Sequence, residues 1–232
     1  MSLTKATLVI ILLILCLIAG NSYATVNPCI EVEKRRTVEY SQWKMHYRIG
    51  NFYLSKGMVD EAILEYKGAL EIEPNYPEVH NNLGAAYFDK GMVDEAILEY
   101  KGALEMEPNY PEAHNNLGAA YFDKGMVDEA ILEYKKELCH NSRFAKAYYN
   151  LGLAYFHKGM VDEAILEYKK TLEINPDYAD AHNNVAVAYF AKGNINLAWK
   201  HVRIAEKLDH SPHPKFIDLL QKVLNIDKNS PM

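Results

Sequence analysis

Histidine recurs at one register position through the middle of the chain, and histidine is the commonest side-chain ligand for metals in proteins. A single zinc ion needs all its ligands at about 2 Å. Equivalent positions on packed neighbouring helices lie about 8–10 Å apart, so rings at such positions cannot share one ion. We therefore expect packed rings, and we predict neither a metal nor any other cofactor. The recurrent residues are His46, His80, His114 and His182.

The motifs of several catalytic classes are missing from the sequence. It contains no Gly-rich phosphate loop, no nucleophile elbow and no H-E-x-x-H zinc motif. The formal net charge is -6, and the one short basic run is Lys34-Arg35-Arg36. Nucleic-acid partners attract clustered Lys and Arg, so we expect neither an enzyme nor a nucleic-acid binder.

Asparagine also recurs at a constant spacing of 34 residues, and its amide both donates and accepts hydrogen bonds. Such a group can hold a peptide bond whatever side chain the peptide carries. The spacing of packed helices matches the length of about three extended residues, so one amide per three ligand residues is feasible. The alternative is that these are solvated polar positions copied by duplication. The residues are Asn82, Asn116, Asn150 and Asn184.

The elements that must position these residues come from a repeat. The stretch KGMVDEAILEYK occurs four times, starting at Lys56, Lys90, Lys124 and Lys158. In the second unit, helical spacing predicts one helix from Pro77 to Gly91 and another opening at Asp94, with Pro108 closing the unit. The five predicted units span residues 43–76, 77–110, 111–144, 145–178 and 179–212.

The pattern within a unit carries a family resemblance. A period of 34 with a bulky residue, then L-G-x-x-Y, A-x-x-x-aromatic and Pro is similar to the tetratricopeptide (TPR) repeat family. The resemblance implies an all-α, right-handed solenoid of five helix-turn-helix units. An apolar stripe predicts a C-terminal capping helix at 213–226, followed by a tail at 227–232. In the second unit the pattern is His80, Leu83-Gly84, Tyr87, Ala96, Tyr100 and Pro108.

The resemblance also implies where a ligand binds, because the first helices of TPR arrays line a concave groove. The four asparagines resemble the asparagine ladder of superhelical TPR grooves. Phenylalanines at the twelfth position and acids at the thirteenth suggest apolar pockets with an acidic stretch, although the phenylalanines can equally support packing between units. The predicted peptide-binding residues are Arg48, Asn81, Asn82, Asn115, Asn116, Asn150, Asn184, Phe88, Phe122, Phe156, Asp89 and Asp123.

These features predict a non-catalytic module that binds an extended peptide or partner segment, as an adaptor in envelope assembly. The alternative is a structural or self-associating scaffold without a peptide ligand. A leucine stripe bears on this choice, and we expect it to be core between units rather than an exposed seam. The leucines are Leu64, Leu98, Leu132 and Leu166.

The N-terminal residues resemble an export signal. Lys5 precedes the apolar run 6–19, and the small residues Ser22 and Ala24 follow. We predict a signal peptide at 1–24, export to the periplasm or outside the cell, and a linker at 25–42. The alternative is a retained membrane anchor, which would make the membrane a partner. Cys29 and Cys139 are expected to be separate thiols rather than a disulfide.

Some units depart from the pattern. In the third unit Glu137 stands where Ala is usual, and Ser142 replaces Pro. In the fifth unit Ala186 replaces Gly. We therefore expect the seam between units three and four to be the weakest point of the array.

Overall fold

The computed structural model describes residues 28–208 and 212–224, with side chains described from residue 42 onward. The predicted signal peptide and the tail at 227–232 lie outside these residues. The described residues are helical without any strand, in this order: α1 Pro28–Ser55, α2 Val59–Ile72, α3 Pro77–Asp89, α4 Val93–Met106, α5 Pro111–Asp123, α6 Val127–His140, α7 Ala145–His157, α8 Val161–Ile174, α9 Ala179–Ala191, α10 Ile195–Lys207 and α11 Pro214–Leu224.

Local chemistry sets the helix ends within each unit. Pro77 occupies the first turn of α3, where its missing N–H is not needed. The turn after α3 places Gly91 at φ +80°, a conformation that glycine adopts without a Cβ penalty. The Met92 N–H then donates to the Tyr87 carbonyl at 2.9 Å, which closes the helix end. Helix α3 thus begins at the predicted Pro77 and ends at Asp89, two residues before the predicted Gly91, and α4 begins at Val93, one residue before Asp94.

The two helices of a unit meet where a glycine faces a tyrosine. A Cβ placed on Gly84 would lie 2.7 Å from the Tyr100 ring, so only glycine permits this approach. Tyr100 is almost fully buried there. The fifth unit solves the same problem differently, because Ala186 faces a position occupied by Val202 instead of Tyr, and both are fully buried. The departure at Ala186 is thus matched by a smaller partner.

The array is curved, as expected of the predicted solenoid. Consecutive first helices contact one another, as α3 does α5, whereas consecutive second helices within the described residues do not. The first helices therefore lie on the inner face and the second helices on the outer face. The prediction of an all-α solenoid is confirmed.

The two ends of the array differ. Helix α1 begins at Pro28, so residues 28–42, expected to be a linker, continue the first helix. At the other end α11 acts as the expected cap, with Phe216 edge-on to Phe190 at 5.5 Å and Leu220 fully buried. Residues 225–226 of the predicted cap lie outside the described part. No helix in the described ranges is long and apolar enough to cross a membrane.

The leucine stripe corrects one expectation. Leu64 is 70% exposed and Leu166 is 52% exposed, with Leu98 and Leu132 between these values. The prediction that these side chains form core between units is wrong. Consecutive second helices do not contact one another in the described residues, so no neighbouring second helix covers these side chains.

The seam between units three and four contains a buried acid. Glu137 is 1% exposed, and among the described residues its Oε2 atom has no hydrogen-bond partner. Burial, with repulsion from Glu112, raises the pKa of Glu137 to about 8 although Lys146 opposes the shift. In the next unit the equivalent Thr171 is satisfied, because its hydroxyl donates to the Glu167 carbonyl at 3.1 Å.

The glycine–tyrosine contact gives a first prediction. Gly118→Ala places a Cβ 2.6 Å from the Tyr134 ring, so we expect the free energy of unfolding to fall by about 1–3 kcal/mol. Adding Tyr134→Val reproduces the pair found in the fifth unit. Urea unfolding of both single variants and the double variant should then show positive coupling between the sites. Strictly additive losses would contradict this account.

The buried acid gives a second prediction. Glu137→Ala should raise the free energy of unfolding at neutral pH by about 1–3 kcal/mol, because it removes an unsatisfied buried group. A carboxyl with a raised folded pKa loses stability as pH rises from its unfolded value towards its folded value. In the wild type we therefore expect stability to fall from about pH 4.3 towards pH 8.

Urea melts across this pH range, with hydrogen exchange along the chain, would measure the effect. The variant should show a flatter pH profile and slower exchange at the seam between units three and four. Thr171→Ala is the matched control, and it should leave the pH profile unchanged. An equal flattening in the control would contradict the role of Glu137.

Candidate functional site

Asn82, Asn116 and Asn150 belong to a continuous chain of amides along the inner face. The sixth residue of each unit from the second to the fifth donates its amide N–H to a residue of the preceding unit. In the second and third units, the amide of the fifth residue donates to the amide of the sixth. The bonds run from Asn150 to Asn115 at 3.0 Å, Asn115 to Asn116 at 3.4 Å, Asn116 to Asn81 at 3.0 Å, Asn81 to Asn82 at 3.4 Å and Asn82 to Asn51 at 3.0 Å.

Tyrosine hydroxyls form hydrogen bonds with side-chain amides at both ends of the row of asparagines. The amide of Asn82 also donates to the Tyr47 hydroxyl at 3.3 Å, and the Tyr66 hydroxyl donates to Asn51 at 2.7 Å. At the far end Asn184 donates to the Tyr149 hydroxyl at 2.9 Å. Tyr149 occupies the register position held by Asn in the second and third units, so Asn184 bonds a hydroxyl where Asn116 and Asn150 bond an amide.

The hydrogen bonds between these amides orient their side chains. Asn116, Asn150 and Asn184 are half-buried. A primary amide has two N–H donors and an oxygen with two lone pairs. Asn116 donates one bond and accepts one, so the bonds of the amide chain use one of its two N–H groups and one of its two lone pairs.

The other predicted residues are distributed differently. Phe88 and Phe156 are half-buried against the core, and the Phe122 ring lies edge-on to His157 of the next unit at 5.5 Å. Asp89 and Asp123 are exposed at the ends of their helices. The phenylalanines therefore pack between units while keeping part of their surface accessible.

Arg48 does not join the amide chain. Its side chain is exposed and lines a depression on α1 with Met45 and Phe52. Asn51 was not among the predicted residues. It accepts a hydrogen bond from Asn82 and so forms the first-unit end of the amide chain, where Arg48 was expected to contribute. Asn51 is a polar residue one helical turn after Arg48, and this spacing is the sequence signal that would have identified it.

The recurrent histidines pair with carboxylates, a feature that the sequence analysis missed. His80 Nδ1 lies 2.7 Å from Glu99, and its Nε2–H donates to the Pro74 carbonyl at 2.9 Å. The hydrogen bond to Glu99 raises the pKa of His80, with burial opposing it. His114 and Glu133 repeat the arrangement at 2.7 Å in the third unit.

The pKa values of the groups at these positions depend on what surrounds them. Burial would raise the pKa of Glu133, but hydrogen bonds from His114 and Lys136 outweigh it and lower the pKa. In the fifth unit a second histidine replaces the acid, so that the Nδ1 atoms of His182 and His201 lie 2.8 Å apart. Burial and the positive field of His182 and nearby lysines lower the pKa of His201 to about 4.

The described residues offer no metal-binding arrangement of three or more His, Cys, Asp or Glu side chains. Cys139 is a free, exposed thiol on α6. His80, His114 and His182 act instead as links between the first and second helices. Each ring bonds a side chain on the second helix and the loop carbonyl before its own helix. The carboxylates recur 19 residues after the histidines, a spacing visible in the sequence.

The curved stack of helical hairpins with a polar inner face defines a protein–protein interaction scaffold. A family model described as TPR repeat matches residues 50–91, 84–125, 118–159 and 153–193. The chain therefore belongs to the TPR repeat family. TPR proteins bind protein or peptide partners. No curated protein matches the chain.

Solved structures with the same fold include a crystal structure of MamA, which is 34% identical. That match covers 69% of this chain and 94% of MamA, with a TM-score of 0.65. PilF of Pseudomonas aeruginosa is 18% identical over 81% of this chain and 86% of its own, with a TM-score of 0.73. YrrB, described as a TPR protein with an unusual peptide-binding site, is 22% identical over 78% and 90%, with a TM-score of 0.61. The last two show likeness of fold alone.

The histidine–carboxylate pair gives a third prediction. In the wild type, an NMR titration should place the pKa of His80 above the ordinary value of about 6.5, and Glu99→Gln should lower it by removing the charge. Stability from the pair is fully present below the unfolded pKa and is lost as pH rises through the folded pKa. Glu95→Gln, an exposed acid on the same helix, is the control. An unchanged His80 pKa in the Glu99 variant would contradict the ion pair.

Proposed function

We propose that the chain is a non-catalytic module that binds an extended peptide or partner segment along its inner face. The observation that carries this proposal is the row of half-buried amides on consecutive first helices, each fixed by a bond to the unit before it. An extended backbone presents alternating N–H and C=O groups, which pair with the donors and acceptors that the bonds within the row leave unused, as at Asn116.

The surroundings of the row favour a ligand with both apolar and basic side chains. The exposed parts of Phe88 and Phe122 provide apolar contacts, and Asp89 and Asp123 at the helix ends provide negative charge. Peptide binding by a TPR protein of the same fold, YrrB, is consistent with this use of the surface. The backbone contacts supply affinity, and the flanking pockets supply selectivity.

The site of action that we propose is the cell envelope, where the chain serves as an assembly adaptor. The support is the sequence of residues 1–24, with its basic start, apolar run and small residues before a cleavage point. Retention of this segment as an anchor is the alternative. N-terminal sequencing of the protein from envelope extracts would distinguish a cleaved product from a retained segment.

A second candidate is a scaffold that associates through its outer face without a peptide ligand. The leucine stripe supports it, since leucines 52–70% exposed at one register position on the second helices of four successive units are unusual on a protein surface. Under this candidate, changes on the inner face leave association unchanged.

The test of peptide binding replaces two amides in the middle of the row. Asn116→Ala with Asn150→Ala should weaken binding to a library of unstructured peptides carrying apolar residues and lysine. Each amide is expected to contribute about 1 kcal/mol, so the loss should be roughly ten-fold or more. Fluorescence anisotropy measures affinity, and circular dichroism checks that the helices remain folded.

Asn109→Ala is the control, because it removes an exposed amide in a loop. It should bind peptides as the wild type does. If the double variant kept full affinity while folded, peptide binding by the amide row would be excluded. Sedimentation of the same variant tests the second candidate, which predicts no change in its association.

A further inference from the structure

The outward surface of α1 differs from every equivalent surface in the array. We call it the N-terminal end face, and it consists of Met45, Ile49 and Phe52 with Lys44 and Arg48 beside them. Met45 and Phe52 are each 57% exposed, and Ile49 is half-buried. The five side chains line a depression of about 490 Å³.

In the later units the equivalent surface is buried against the preceding unit. Their residues at the same register positions are at most 3% exposed: Val79, Leu83 and Ala86; Ala113, Leu117 and Ala120; Ala147, Leu151 and Ala154; Ala181, Val185 and Ala188. What these units have, and the first unit lacks within the described residues, is a preceding hairpin. The N-terminal end face is therefore an inter-unit surface without its usual neighbour, and its three side chains follow i, i+4 and i+7 spacing along one helix.

The charge of this face also sets it apart. The sequence from Gln42 to Val59 contains no Asp or Glu, although the whole chain carries a net charge of -6. Lys44 stands where the second, third and fifth units have an acid, and Arg48 stands where the later units have asparagine. A neutral repeat neighbour would not require these basic residues, whereas an acidic partner would be attracted by them.

We propose that the N-terminal end face is a docking site for an amphipathic helix of a partner protein, with apolar residues on one side and acidic residues flanking them. The helix lies along α1, its apolar side covers Met45, Ile49 and Phe52, and its acids meet Arg48 and Lys44. Elsewhere in this array the equivalent surface receives helices, which favours a helix over a membrane. Two copies of the face would bring Arg48 of each copy together, which disfavours self-association.

The test uses the full chain and a synthetic amphipathic helix of about 20 residues, with leucines on one side and flanking glutamates. Fluorescence anisotropy should show saturable binding to the wild type. Phe52→Asp should weaken it at least ten-fold. Arg48→Glu should weaken it several-fold and favour instead a matched probe in which lysines replace the glutamates.

Leu64→Ser is the matched control, since Leu64 is the more exposed residue but lies outside the face. It should bind the acidic probe like the wild type. Both end-face residues are exposed, so folding should be retained and is checked by circular dichroism. If Phe52→Asp nevertheless unfolds, the charge reversal at Arg48 with the two probes decides the question by itself.

Several results would overturn the proposal. They are absence of saturable binding to the wild type, equal loss in Leu64→Ser, a wild-type dimer that Phe52→Asp dissociates, and Phe52-dependent binding to phosphatidylglycerol vesicles without binding to the helix. Loss in the Asn116→Ala and Asn150→Ala variant, with Phe52→Asp unaffected, would place the helix in the groove and would likewise overturn it.

Discussion

The close approach of the two helices within a unit is the contact on which the rest of the structure depends. A glycine on the first helix leaves room for a tyrosine ring of the second, as Gly84 does for Tyr100. This contact fixes the geometry of the hairpin, and stacking then repeats that geometry along the chain. Because the hairpins have similar shapes, the sixth residue of each later unit bonds the unit before it, as Asn116 and Asn150 do. The amide chain is thus a consequence of hairpin packing.

Much of the fold could be predicted because its signals are local. Proline at a helix start and glycine at a helix end act within one turn, so the bounds of α3 followed from Pro77 and Gly91. The exposure of Leu98 could not be predicted in this way, since it depends on whether neighbouring second helices meet. The start of α1 at Pro28 was missed because no repeat unit and no apolar period marks residues 28–42.

The candidate site shows the same division. Constant spacing identified the row of asparagines, but it did not reveal that Asn116 donates to Asn81, since that bond depends on the offset between stacked units. The histidines were expected to be packed rings, and His114 and His182 are buried. Their carboxylates on the second helix were overlooked, although Glu99 follows His80 by the same interval as Glu133 follows His114.

The glycine–tyrosine hairpin also has a consequence for how such a chain can change its length. Neighbouring units meet through the same side chains, and Lys124 bonds Asp94 as Lys158 bonds Asp128. Deleting or inserting one whole unit in the middle of the array would rejoin surfaces that already match. Copy number is therefore a property that recombination within the gene can alter without disturbing either terminal surface.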